Sequence, residues 1–389
     1  MNILIIKSSS FIQPDIEEAF SLLGHVLYPV AVPPAKEKEQ NSYLQALITN
    51  IKACSPDFVF SLNFYPFISY ACELLGLRYI AWLVNSYHPD YFSPAIRNGQ
   101  TWLFASDSVL TEELRDLNAA HVSFLPLAAG LPRINRLLKQ NYDHSLFNCD
   151  VSFFGNILSR DELNPHPLST DNALKDSTKG YLEGCIACYH QIPECFPIAE
   201  RLPNYVKNDL LAFYKPDMSE TIASTDWLLN HQYFYPLITD TNREIFYAYL
   251  KNEQRLSKVK IYGDIKKEDA VSFEVEPTPT CNELSEIAFR SKINLIIPER
   301  SFHGDIPPIG WQILGAKGFL LYMGEQSDVY PKGMSNTVFR TARDMMQKIA
   351  YYLGRDKERQ MISEEIYQDI LEHHTCSHRI RKMLGIIQS

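Results

Sequence analysis

Short apolar runs alternate with stretches of helical period through the first third of the chain. The runs at Asn2–Lys7, His25–Val32, Phe58–Phe64, Arg78–Val84, Thr101–Ala105 and Val122–Leu127 are brief and largely continuous, as in strands covered on both faces. Between them, Asp15–Leu23, Ser42–Ala53, Phe67–Leu75 and Thr111–Leu117 repeat apolar residues at helical spacing. Strands alternating with helices predict a parallel sheet with helices on both faces. In Leu75-Gly-Leu77 the glycine marks the end of one helix before the next strand.

The pattern breaks after residue 130. Residues 131–150 read as a linker with a basic helical piece and then polar residues, separating a first domain (1–130) from a second (151–389). A strand restarts at Val151-Ser-Phe-Phe-Gly-Asn156. Strand pattern returns at Val259-Lys-Ile-Tyr-Gly-Asp264, Ile293–Ile297, Phe319–Tyr322 and Thr337–Phe339. Residues 181–256 carry aromatic and leucine stripes and read as a helical elaboration of the second domain, and the last fifty residues read as a helical tail. Two α/β halves with a cleft between their sheets are the expected architecture.

Composition narrows the function. At 389 residues the chain fits two domains of roughly 150–200 residues. A formal charge of -9 without a basic block argues against a nucleic-acid-binding surface. No apolar run approaches the roughly 18–20 residues that cross a bilayer. Met1-Asn-Ile-Leu-Ile-Ile-Lys7 reads as a first strand, not a signal peptide. Eight cysteines without framework spacing suit a reducing compartment, so a cytoplasmic location is expected. No G-x-G-x-x-G fingerprint or P-loop is present, which lowers dehydrogenase and kinase readings.

The most informative stretch is Ser291–Tyr322. It reads as a buried strand, a polar loop with Glu299, Arg300, Ser301, His303, Gly304 and Asp305, a short helix, and a second strand. In open α/β sheets ligands bind outside the carboxyl ends of the strands. The helix that follows would aim its N–H groups at the same place, and an arginine beside a helix N-terminus suits a phosphate or diphosphate.

Further pieces are similar to bacterial GT-B glycosyltransferases of the spore-maturation type, nearly end to end. They are Pro56-Asp-Phe-Val-Phe-Ser-Leu-Asn63, Tyr79-Ile-Ala-Trp-Leu-Val-Asn-Ser86, Phe124-Leu-Pro-Leu-Ala128, Val151-Ser-Phe-Phe-Gly155, Gly180-Tyr-Leu-Glu-Gly184, Ser291-Lys-Ile-Asn-Leu295, the Arg300–Leu314 loop and helix, and Gly318-Phe-Leu-Leu321. Tyr351-Tyr-Leu353 with Glu358-Arg359, then His374-Thr375 with Arg379, complete the set. The resemblance implies a GT-B architecture of two Rossmann-like domains and a transferase that moves a sugar from a nucleotide-sugar donor to an acceptor hydroxyl. It implies a donor held by the second domain, an acceptor held against the first, and no metal or other cofactor. The chain departs from the pattern at three positions. Related sequences usually have an arginine at Ile309, an acidic residue that holds the donor ribose at Gln312, and an aspartate at Asn85. A non-catalytic nucleotide-sugar-binding protein, or an epimerase or phosphorylase of the same fold, is the alternative.

Each candidate residue has a plainer reading. Arg300 is the diphosphate candidate, or a surface arginine paired with Glu299 or Asp305. His303 donates to a phosphate or caps the following helix. Ser301 and Gly304 share that loop, and Gln312 reaches the ribose. Gly155, Asn156 and Gly263 end strands facing the expected cleft, or form tight turns; Asp264 binds a sugar hydroxyl or caps a helix. Ser8-Ser-Ser10, where many nucleotide-binding folds have glycines, contacts a substrate or turns into a helix, the plainer reading being favoured. An inverting reaction needs a base near the acceptor hydroxyl, and His88 and Asp90, after the strand ending at Val84, are the candidates. Cys185 and Cys188 with His190 and Cys195, and the His373–His378 cluster, read as buried thiols and helix residues rather than metal ligands.

Overall fold

The computed structural model describes residues 1–34, 37–85, 87–139, 149–156, 174–191, 198–216, 221–253, 256, 258–264, 273–303 and 305–388. In the first domain, strands β1 (Asn2–Lys7), β2 (Val26–Ala31), β3 (Phe58–Leu62), β4 (Tyr79–Leu83), β5 (Thr101–Ala105) and β6 (His121–Phe124) form one sheet of order β2-β1-β3-β4-β5-β6. Every pairing in it is parallel. Helices α1 (Gln13–Leu22), α2 (Glu37–Cys54), α3 (Pro66–Leu75) and α4 (Ser108–Asp116) connect these strands. All five residues of β3 and of β4 are buried, which explains why they read as unbroken apolar runs. Gly76 ends α3 in the left-handed conformation, as its sequence context predicts.

Helix α5 (Leu131–Leu138) follows, and then the second sheet. Its strands are β7 (Cys149–Phe154), β8 (Val259–Tyr262), β9 (Glu274–Glu276), β10 (Ser291–Ile296), β11 (Leu320–Met323) and β12 (Val338–Phe339), in the order β12-β11-β10-β7-β8-β9. These strands too are parallel. This is the doubly wound arrangement, in which the strand order reverses between β7 and β10 and a ligand crevice opens at that point. Strand β9, three residues with a charged residue at each end, lay below the sequence signal.

The helical elaboration consists of α6 (Asp176–Gln191), α7 (Asn204–Phe213), α8 (Thr225–Leu229), a π-helical turn over Asn230–Phe234, and α9 (Tyr235–Lys251). Helices α10 (Cys281–Arg290) and α11 (Pro308–Gly315) flank β10, and α12 (Ala342–Tyr352), α13 (Asp356–His373) and α14 (Cys376–Gln388) close the chain. No described helix is long and apolar enough to cross a membrane.

The two halves share a core. Phe60, Trp82, Leu125 and Leu127 of the first domain belong to one buried cluster with Ile296, Ile306, Trp311 and Ile380 of the second. Residues 131–139 are therefore more than a tether. Helix α5 lies between the domains, and Gly315 of α11 sits so close that a Cβ there would meet Ile134 at 2.9 Å. Helix α14 returns to pack on α1. A parallel bridge joins Ala129 to Thr375, with Ala129 donating to the His374 carbonyl and Cys376 donating back to Ala129.

Candidate active site

The site is best built from the reversal point of the second sheet. Gly155 and Gly263 end the neighbouring strands β7 and β8 with φ of +143° and +146°, a region side chains rarely enter. A Cβ on Gly263 would lie 2.6 Å from the Gly155 carbonyl oxygen, so the two strand ends touch only because glycine stands there. Asn156 ties them, its Oδ1 accepting the Asp264 N–H at 3.0 Å. The helix that Asp264 was expected to cap falls on residues outside the described set.

Across this edge lies Arg243 of α9. Its guanidinium is 3.4 Å from where a Gly155 Cβ would be, and its Nε and Nη2 donate to the Ile297 carbonyl at 3.4 and 3.3 Å. It thus spans the ends of β7 and β10, the two strands at the reversal. Burial pushes its pKa down, with the Glu299 and Asp240 charges opposing that. The sequence reading did not single out Arg243, because nothing local distinguishes it from other helical arginines.

The loop after β10 holds the predicted residues. The Arg300 N–H donates to Thr239 Oγ1 at 2.8 Å, and its guanidinium stacks over Tyr189 of α6, 5.4 Å from the ring centre. Ser301 is buried. His303 donates its backbone N–H to the Asp107 carboxylate of the first domain, and its ring packs edge-on against Tyr235 at 5.7 Å. Burial, with Arg300 and His231 nearby, pushes the His303 pKa down to about 3. Helix α11 has Pro307 at its N-cap position and no side-chain cap, so the capping role weighed for His303 is not what the structure shows. Gly304 lies outside the described residues.

Gln312 sits on α11, buried, with both polar atoms engaged. Its Nε2 donates to Ser285 Oγ at 2.8 Å and to the Cys281 carbonyl, and its Oε1 accepts from Arg133 Nη2 at 3.1 Å. Arg133 of α5 in turn makes two bonds to Asp15, at 2.7 and 2.8 Å. Ile309 packs against the shared core.

His88 and Asp90 lie after β4, on the first domain's side. His88 Nδ1 is 3.5 Å from Asp90 Oδ2, and both side chains are partly exposed. Their neighbours carry the cross-cleft contacts. Tyr87 accepts from Gln232 Nε2 at 2.9 Å and stacks on His231, and Phe92 accepts the Ile222 N–H at 2.7 Å and packs on Trp227. The Asn85 N–H donates to Asn63 Oδ1 at 3.2 Å. The Ser8 hydroxyl donates to Gln13 Oε1 at 2.8 Å, in keeping with a helix-entry turn.

Of the weighed metal clusters, Cys195 lies outside the described residues. His374 instead bonds Arg379 at 2.8 Å and lies 3.2 Å from Asp369. Among the described residues no three His, Cys, Asp or Glu side chains group as metal ligands.

Residues 243–385 match the model of a family described as glycosyl transferase-like, a window that opens at Arg243 and includes the Arg300 loop. The fold also superposes on solved structures along its whole length. The HepE protein of Anabaena, solved in complex with UDP and glucose, shares 8% identity over 100% of both chains with a TM-score of 0.52. Sucrose-phosphate synthase of Thermosynechococcus elongatus shares 7% over 100% of this chain and 98% of that one, TM-score 0.52. The BGT of phage T4, solved with its UDP-glucose substrate, shares 8% over 100% and 99%, TM-score 0.50. This is the GT-B fold. No curated protein sequence matches the chain. At these identities the GT-B likeness speaks to architecture, which agrees with the expectation drawn from the strand pattern.

Two half-buried histidines of this GT-B chain give a pH prediction. His303 and His374 have pKa values pushed down to about 3 and about 4, in both cases chiefly by burial. Folded values below the ordinary 6.5 mean stability that is present above that pH and lost as pH falls toward the folded values. Asp107 and Asp305 act oppositely. Burial raises them to about 6 and about 7, so their contribution is present below about 4 and lost as pH rises through those values. His303→Gln removes one histidine term and leaves the carboxylates. At pH 4.5 that term is worth about 2–3 kcal/mol. The variant is expected to lose less melting temperature than wild type between pH 7 and 4.5. Equal losses in both proteins would contradict a lowered pKa of His303.

Proposed function

We propose that the chain is a glycosyltransferase that moves a sugar from a nucleotide-sugar donor, UDP-linked in the first instance, to an acceptor hydroxyl. The observation that carries this reading is the position of Arg243, a guanidinium held between the Gly155 end of β7 and the Ile297 carbonyl after β10, at the reversal point of the second sheet. A diphosphate seated there meets Arg243, the Arg300 loop with Ser301 and His303, and the N-terminal end of α11. Charge developing on the leaving diphosphate is then met by fixed cations and N–H groups, which is often the largest catalytic contribution. Such a site supplies that charge from protein groups, and the reaction is accordingly read as metal-independent. Proteins of this fold solved with UDP and glucose or with UDP-glucose motivate the choice of nucleotide.

The acceptor lies against the loop after β4. There His88 Nδ1 accepts the Asp90 backbone N–H at 3.3 Å and stands 3.5 Å from the Asp90 carboxylate, and the base of an inverting transfer is drawn from this pair, His88 and Asp90. Gln312 is not assigned to the ribose, because its amide is committed to Arg133, Ser285 and Cys281. That same commitment favours the second reading, a protein that binds a nucleotide sugar without turning it over.

One panel separates the two. UDP-, GDP-, dTDP- and CMP-sugars are offered to the purified chain, and both thermal shift and nucleotide release are followed. Stabilisation by one UDP-sugar with release of UDP is the expected result. Stabilisation without release, even with acceptor extracts present, favours the binding protein. A chain stabilised by none of them is not a donor-binding protein of either kind.

A further inference from the structure

The loop between β10 and α11 is tied to the opposite domain by two carboxylates that work in reciprocal directions. Asp107 stands between the carboxyl end of β5 and the start of α4. One oxygen accepts the N–H groups of Val109 and Leu110, at 2.8 and 3.3 Å, and so caps the helix. The other accepts the backbone N–H of His303 from the second domain. Two residues on, Asp305 returns the contact: its Oδ2 accepts the Leu127 N–H of the first domain at 2.8 Å. Both carboxylates are buried, at 2% and 0% exposure. The near side of the loop is fastened within its own domain, where Arg300 N–H meets Thr239 and the His303 ring meets Tyr235.

A helix cap needs only one acceptor oxygen, which serine supplies equally well. The second oxygen of Asp107, and its burial, are explained by the cross-domain bond. We propose that Asp107 is a positioning residue of the donor site, which fixes the backbone of the Arg300–His303 stretch from the acceptor domain. It touches no donor atom itself. Groups that stabilise a leaving diphosphate must be held to within a fraction of an ångström, and a supporting shell sets that tolerance. Here part of the shell belongs to the other half of the molecule, so donor affinity depends on a residue of the acceptor domain. The inference rests on the donor reading of the loop given above.

Asp107→Ser keeps a capping oxygen and lacks the reach to His303, and Asp107→Asn keeps one amide oxygen at nearly full length. The full-length proteins are compared by amide hydrogen exchange over residues 298–311 and by titration with UDP. In Asp107→Ser, exchange across that segment is expected to quicken by about tenfold while the interior of α4 is unchanged. UDP affinity is expected to fall about tenfold or more at a melting temperature close to wild type. Should the serine variant fail to fold, the asparagine variant is read the same way. Unchanged exchange over the segment overturns the clamp. Quicker exchange with unchanged UDP affinity overturns the positioning role. A wild-type chain that does not bind UDP overturns the donor reading and Asp107's role in it, while the exchange comparison separately decides whether Asp107 holds the loop.

Discussion

Arg133→Ala is expected to lower the melting temperature by about 5 °C, the largest stability effect among the arginine substitutions considered. Arg133 rises from α5 into the interface between the domains and is nearly inaccessible, as is its partner Asp15. Its guanidinium makes two bonds to that carboxylate and also reaches the Cys281 carbonyl at 3.2 Å, Asn282 Oδ1 at 3.0 Å and Gln312. Removing it leaves the Asp15 carboxylate buried beside Gly130, whose Cβ position is only 2.0 Å from the Asp15 Cγ. Burial already pushes the Asp15 pKa up against the pull of Arg133. Breaking one side of such a pair costs about 3–5 kcal/mol, chiefly through the stranded charge.

Two companions make the test specific. Arg133→Met combined with Asp15→Leu removes both charges and should recover much of the loss, because the penalty belongs to the unpaired ion rather than to the missing bonds. Arg136→Ala, one turn further along the same helix, removes an exposed partner of Glu18 and should leave the melting temperature nearly unchanged. A small effect of Arg133→Ala, comparable to that of Arg136→Ala, would show that the pair does not hold the domains together.

The contrast between Arg133 and Arg136 marks where sequence reading ends. Both stand in a stretch that reads as a basic linker piece, and no local pattern says that one is buried between domains. Strand and helix positions were legible because each is a local signal. The unbroken runs at Phe58–Leu62 and Tyr79–Leu83 can be covered only on both faces, and the Leu75-Gly-Leu77 stop appears as a left-handed cap. Gly155 and Gly263 were legible as strand ends, though their contact with one another was not, since they lie far apart along the chain. Asp107 was not singled out in the sequence, although in the fold it caps α4. Its second bond, to His303, depends on how two domains meet. Gln312 went the other way: the resemblance to GT-B glycosyltransferases implied a ribose contact, and tertiary structure gave its amide to Arg133, Ser285 and Cys281 instead.

Arg243 is the extreme case of a residue visible only in three dimensions, and it carries the second large prediction. Arg243→Met, which keeps the aliphatic packing of the side chain, is expected to weaken UDP or UDP-sugar binding by about 10- to 100-fold. That is the worth of about 1.5–3 kcal/mol for charge-assisted bonds to a diphosphate. Arg243→Lys should recover part of the loss, because an ammonium keeps the charge but not the fork. The site's own geometry ranks the arginines. Arg243 faces the carboxyl ends of β7 and β10, where the strand order reverses, whereas the Arg300 guanidinium rests on the Tyr189 ring in the helical elaboration. Arg300→Ala is therefore expected to weaken donor binding less than Arg243→Met does. Binding by calorimetry at two salt concentrations checks both points, since a contact with a diphosphate should weaken as salt rises. Nucleotide affinity equal to wild type in Arg243→Met would remove the diphosphate from the reversal point. A larger loss in Arg300→Ala would move it toward the helical elaboration.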